Sequence, residues 1–158
     1  AVHQSLSAKE RHQRMLDALL AVRIEDPERV ARLYPHEVSG GMGQRVMIAM
    51  MVVLEPDLMI ADEPTSALDV SVRGQVLDIM DDLVKRRGMG LLLISHDLNM
   101  VARWCDRILV MYQGTIVEEL GAGQLGEAQH PYTRGLLASV PKIDDTRDRL
   151  PVLDRSQL

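Results

Sequence analysis

The stretch Leu58-Met59-Ile60-Ala61-Asp62-Glu63-Pro64-Thr65-Ser66-Ala67-Leu68-Asp69 constrains the fold more than any other. Four apolar residues run into two adjacent carboxylates, a proline and a small polar turn. Leu58 to Ala61 read as a short strand buried on both faces, the pattern of parallel sheets. The chain is therefore expected to be α/β. Asp62 and Glu63 leave the strand at its carboxyl end, where open α/β sheets bind ligands. Two buried carboxylates repel one another and lose hydration, so a cation or a proton must compensate. A hydrated Mg²⁺ bridging to phosphate oxygens fits, because Mg²⁺ keeps several waters and takes one or two protein carboxylates. Glu63 is then free to hold and polarise a water. Taken alone, the pair reads more simply as the cap of a helix start.

The flanking chain alternates helix and strand. Ser7-Ala8-Lys9-Glu10 is a capping box, opening a helix to about Val22 with Met15, Leu16, Leu19 and Leu20 on one face. Asp26-Pro27 starts a second, short helix through Leu33. Ser39 stands as N-cap before Gly40 and Gly41, and glycine in a first turn is poor helix chemistry. It allows another object close to the backbone at a helix end that favours anions, although a ligand-free helix entry suits the same residues. Val46 to Leu54 is apolar almost all round, as in a helix enclosed by protein.

After Asp69, Val72, Val76, Ile79, Met80 and Leu83 keep helical spacing until Lys85-Arg86-Arg87-Gly88 closes the helix. Leu91 to Ile94 form a second fully buried strand, which delivers Ser95 and His96. A helix over about Leu98 to Cys105 follows, then a hairpin turning at Gln113-Gly114. Gly121-Ala122-Gly123-Gln124-Leu125-Gly126 matches G-x-G-x-x-G but lacks the helix and second parallel strand that a dinucleotide site needs, and is expected to be a flexible loop. His130 to Ala138 is a short helix, and from Lys142 the charge without period predicts an extended arm.

Composition narrows the function. The formal charge is −5, and no basic cluster exceeds Lys85-Arg86-Arg87, against a nucleic-acid binder. One cysteine excludes an internal disulfide and suits a reducing compartment, with Cys105 a buried thiol beside Trp104. No apolar run reaches the ~18 residues of a membrane span. Phe is absent and Met numbers 10, so the core is aliphatic and thioether-filled. Outside His96, the histidines show no ligand spacing.

Ser39-Gly40-Gly41-Met42-Gly43-Gln44-Arg45, the Leu58–Asp69 stretch and Ile94-Ser95-His96-Asp97, in this order and spacing, resemble the signature motif, Walker B strand, D-loop and switch histidine of the ATP-binding-cassette (ABC) ATPases. Tyr34-Pro35-His36, Gln44 to Ala49, Ala61 to Thr65 and His130 to Pro141 are similar to the ATPase subunits of bacterial peptide and nickel importers. Val38 replaces the usual Leu, and Gly43 stands where that subgroup usually has Arg. The resemblance implies a partial P-loop NTPase fold, with part of a helical subdomain over residues 1–54, an α/β core over 55–120 and an extension over 121–158.

The resemblance also implies roles. Asp62 would help hold Mg²⁺ through water, Glu63 would orient the attacking water, and His96 would contact the γ-phosphate of ATP. Ser66, Ala67, Leu68 and Asp69 would form the D-loop toward an opposing subunit. Ser39, Gly40 and Gly41 would bind the γ-phosphate of the ATP held by that subunit. The implied partners are a second ATPase subunit, identical or paralogous, transmembrane permease subunits and, indirectly, a solute-binding protein, at the cytoplasmic face of a membrane. No Gly-Lys pair occurs, so the phosphate-cradling G-x-x-x-x-G-K-[ST] loop is missing. The chain is expected to be the C-terminal portion of a longer subunit and inactive alone, or else a non-catalytic docking module.

Overall fold

A computed structural model describes residues 6–140 and divides them into two units, which meet in sequence between Ile94 and Ser95. In the first unit, α1 (Ala8–Ala21) begins at Ser7. The Ser7 hydroxyl accepts from the Glu10 amide at 3.3 Å and the Glu10 carboxylate accepts from the Ser7 amide at 2.7 Å, completing the capping box. The buried face of α1 carries Ala18, Leu19 and Val22. Leu20 lies off that face and is exposed, because it follows Leu19 by one step of a 3.6-residue repeat. The second helix, α2 (Pro27–Val30), is capped by Asp26 and stops well short of Leu33. Four residues are too few to propagate against the cost of nucleation.

Helix α3 (Gly40–Val52) leads into β1 (Leu58–Asp62), α4 (Val70–Arg87) and β2 (Gly90–Ile94). β1 and β2 are parallel, with Leu58 opposite Gly90 and Asp62 opposite Ile94. Gly88 closes α4 in the left-handed region, at φ 63°. Ile48, Ala49 and Val52 of α3 join Val76, Ile79, Met80 and Leu83 of α4, the α1 face, and Met59 and Ala61 of β1 in one aliphatic core.

Two expectations fail here for one reason. Neither strand is buried on both faces: Met59 and Ala61 are buried, whereas Leu58, Ile60, Leu92 and Ile94 are exposed, Ile60 by 57%. α3 is likewise not enclosed, since Met47, Met50 and Leu54 are exposed. A continuous apolar run says that both faces tolerate burial, but what covers each face is decided by elements far away in sequence. Here the helices of the unit pack on one face of a sheet of two strands.

The second unit holds α5 (Leu98–Trp104), the antiparallel hairpin β3 (Arg107–Tyr112) and β4 (Thr115–Gly121), and α6 (Pro131–Ser139). Gln113 and Gly114 have φ values of 49° and 79°, the paired positive angles of a two-residue hairpin turn. Val101, Ile108 and Val110 form its small core. The glycine-rich segment expected as a flexible loop is a 3₁₀-helix over Ala122–Glu127, started by the Gln124 side chain accepting from the Gly121 amide at 3.2 Å. Cys105 is half-buried, and burial and the neighbouring Asp106 raise its thiol pKa. The segment from Lys142 onward lies outside the described residues. No described helix is long and apolar enough to cross a membrane.

Candidate functional site

β1 ends at Asp62, and the chain then makes a backbone turn that few L-residues adopt. Glu63 sits at φ 45°, in the left-handed region. Its amide extends the ladder by donating to the Ile94 carbonyl at 2.9 Å. Its carbonyl accepts from both the Ser66 amide at 3.2 Å and the Ser66 hydroxyl at 3.0 Å. A non-glycine residue pays for positive φ, and such conformations persist where surrounding bonds over-determine them. Sheet ladder on one side and serine turn on the other supply that constraint.

The carboxylates are more open than expected. Asp62 is exposed and Glu63 half-buried, because the strand tip belongs to a two-stranded sheet covered on one face. Beyond them Pro64, Thr65 and Leu68 are buried, whereas Ser66, Ala67 and Asp69 are exposed. This alternation pins the turn to the core through Leu68 while presenting three small or polar residues outward. Arg73 fastens it further, its Nε donating to the Leu68 carbonyl at 2.9 Å. Asp69 stands at the N-cap of α4 through its backbone, its carbonyl accepting from the Val72 and Arg73 amides.

Ser39 caps α3 as its position in sequence implies. The Ser39 hydroxyl accepts from the Met42 amide at 3.3 Å, and its carbonyl accepts from the Gly43 amide at 2.8 Å. The two glycines that follow have a packing reason. A Cβ at Gly41 would stand 2.6 Å from Val72 Cγ1, and one at Gly40 would stand 3.8 Å from Leu68 Cδ2. The close approach that glycine permits is thus made by Val72 of α4 and by Leu68 of the turn before it. Ser39, Gly40, Leu68 and the 66–69 turn therefore lie together, and Ser39 and Gly40 are exposed above it.

Ser95 and His96 follow the end of β2 in the chain and open the second unit. His96 is exposed; the Ser95 hydroxyl accepts from the Asp97 amide, and Asp97 caps α5 through the Met100 amide, both at 3.1 Å. Among the described residues no group of three or more His, Cys, Asp or Glu side chains gathers at a metal-sized site. The donors at the strand tip are two carboxylates, the number a hydrated Mg²⁺ accepts when phosphate oxygens complete its shell.

Sequence reasoning missed Arg73 and Val72 as parts of this site. Arg73 carries no periodic signal, and Val72 reads only as a core position. The G-x-G-x-x-G match houses no helix beyond its 3₁₀ turn, and it plays no part here.

A left-handed Glu63 at a parallel strand tip, the 66–69 turn and a serine-capped glycine helix stand next to one another in the first unit. Residues 2–66 match the family model described as ABC transporter. Over those residues the chain is similar to that family. It is 47% identical over 152 residues to the dipeptide transport ATP-binding protein DppD of Haemophilus influenzae, covering 96% of this chain and 46% of the relative. It is 45% identical to the oligopeptide transport ATP-binding protein AppD of Bacillus subtilis, covering 98% and 47%. The dimeric structure of MJ0796, a bacterial ABC transporter cassette, aligns with a TM-score of 0.64 at 32% identity, over 76% of this chain and 50% of that one. CbiO1 from Clostridium perfringens, part of a transporter complex, aligns with a TM-score of 0.70 at 28% identity, over 80% and 49%. The fold is part of the P-loop NTPase cassette, and the chain spans about half the length of the curated relatives it matches.

Proposed function

We propose that this chain supplies the signature, Walker B and D-loop portion of an ATP-binding subunit that drives import of peptides or related solutes. Asp62 helps hold Mg²⁺ through water, and Glu63 orients the water that attacks the γ-phosphate. Mg²⁺, when bound, neutralises phosphate charge. Ser39 Oγ and the amides of Gly40 and Gly41 receive the γ-phosphate of an ATP held by a second subunit, identical or paralogous. Ser66 to Asp69 cross toward that subunit as the D-loop, and His96 contacts the γ-phosphate of ATP. Phosphoryl transfer asks for positioning and charge neutralisation more than covalent help, and these residues supply both.

The observation that carries this reading is the constrained backbone of Glu63. A backbone held at positive φ by the Ile94 carbonyl and the Ser66 turn fixes the direction in which the Glu63 side chain leaves the strand tip, as suits a water-positioning group. The names of the relatives, dipeptide and oligopeptide transport ATP-binding proteins, support peptides as cargo. In that role the partners are transmembrane permeases and the place of work is the cytoplasmic face of a membrane. The chain holds no Gly-Lys phosphate loop, so no turnover is expected from these 158 residues alone. In a full-length protein carrying the chain, Glu63→Gln is expected to abolish ATP hydrolysis while ATP still binds. Hydrolysis at an undiminished rate would remove Glu63 from the role.

A further inference from the structure

Helices α3 and α4 run side by side in the same sense and touch at both ends. Near their starts, Gly41 admits Val72 so closely that even a methyl group would collide. At their far ends, the Arg87 guanidinium donates from Nη1 to the Val52 carbonyl, the last residue of α3. Counted from the Gly41–Val72 contact, Arg87 lies about four residues, or roughly 6 Å, further along its helix than Val52 does along its own. Helical side chains lean back toward the N-terminus, so a long side chain at position 87 spans that offset. A second donor, the Glu55 amide, shares the Val52 carbonyl.

The geometry points to Arg87 as a positioning residue for the signature turn: it fixes the axial register of α3 against α4, and so sets Ser39, Gly40 and Gly41 relative to the D-loop at the head of α4. This rests on the assignment of those residues to a shared nucleotide site. The consequence is that signature and D-loop reach a partner subunit as one preset surface. Arg87 touches neither ligand nor partner in this scheme; it acts through the rigidity of a 13-residue helix. Its two neighbours in sequence differ in kind, since Lys85 and Arg86 pair with Asp81 and Asp82 one turn back on their own helix.

Hydrogen exchange and turnover in the full-length protein test this. Arg87→Ala is expected to speed amide exchange at Met42 and Gly43 about fivefold or more. It should also lower maximal ATP turnover while leaving KM for ATP unchanged. Arg87→Lys, which keeps one donor, should fall between, and Arg86→Ala should change neither readout. Exchange that rises only around Val53 to Asp57, with Met42 and Gly43 as in the wild type, would overturn the proposal. Should Arg87→Ala fail to fold, Arg87→Lys decides: faster exchange at Met42 and Gly43 supports the role, and wild-type exchange there refutes it. The two claims fail separately. If signature exchange rises in Arg87→Ala yet Glu63→Gln leaves hydrolysis intact, the helix pair stands and the site assignment falls.

Discussion

The two units are held together by different means. The first buries a broad aliphatic cluster from three helices and a strand, with Val22, Ile48, Val52 and Val76 fully enclosed. The second has Val101, Ile108 and Val110 and leans on a carboxylate instead. Glu118 on β4 accepts from the Gln129 amide at 2.6 Å and the His130 amide at 3.2 Å, gripping the N-terminal end of α6. The Thr133 hydroxyl stands near enough to be the main cause of a Glu118 pKa below the ordinary carboxylate value, with those amides adding to it. It is not aligned as a well-formed hydrogen bond, and Glu118 Oε2 and Thr133 Oγ1 are both buried without one. Burial without direction stabilises the unit that carries the strand tip, whereas a directional polar anchor organises the smaller one.

Substitutions should separate these modes. Ile48→Ala opens a cavity in the larger core and is expected to cost about 3–5 kcal/mol, read by urea denaturation. Ile108→Ala in the smaller cluster should cost less, because the surroundings have less to lose by collapsing. Equal losses would erase the distinction. Next in size is Glu118→Ala, which leaves the Gln129 and His130 amides without their acceptor and should loosen α6 while sparing the first unit. Amide exchange along residues 131–139 reads this.

The same group sets a pH dependence. Because the folded pKa of Glu118 is depressed, its contribution is complete above pH 4.5 and is lost as pH falls through the lower folded value. Acid should therefore loosen α6, and Glu118→Gln should remove that dependence. Loosening on raising the pH would contradict the assignment.

The glycines give smaller and opposite effects. Gly74, on α4 with nothing within 4 Å of an added Cβ, should gain up to about 1 kcal/mol as alanine. Gly41→Ala should destabilise, because its methyl meets Val72. Smallest of all, Arg86→Ala removes an exposed i,i+4 pair with Asp82 and should cost about 0.5 kcal/mol or less.

Much of the first unit was legible because its signals are local. Ser7 and Glu10, Ser39, and Gly88 mark helix ends by chemistry confined to a few residues, and the spacing from Val72 to Leu83 gave the buried face of α4 directly. Gln113-Gly114 gave the hairpin in the same way. What failed was non-local. Ile60, Leu92 and Met50 are as apolar as their buried neighbours, and nothing in their own spacing says that one face stays open. At the site, Ser39, Glu63 and the 66–69 turn could be named from motif order. The positive φ of Glu63, the bond from Arg73 and the reach of Arg87 arise from tertiary geometry.

The central claim is that one nucleotide is completed by residues from two protomers. It is tested most directly by mixing two inactive full-length variants, Glu63→Gln and Ser39→Arg, and measuring Mg²⁺-dependent ATP hydrolysis. The mixed dimer combines an intact Glu63 from one protomer with an intact Ser39 from the other at one site, so activity is expected to return on mixing. If both variants are inactive apart and remain so together, while still forming dimers, the two residues do not act across an interface and the account is wrong.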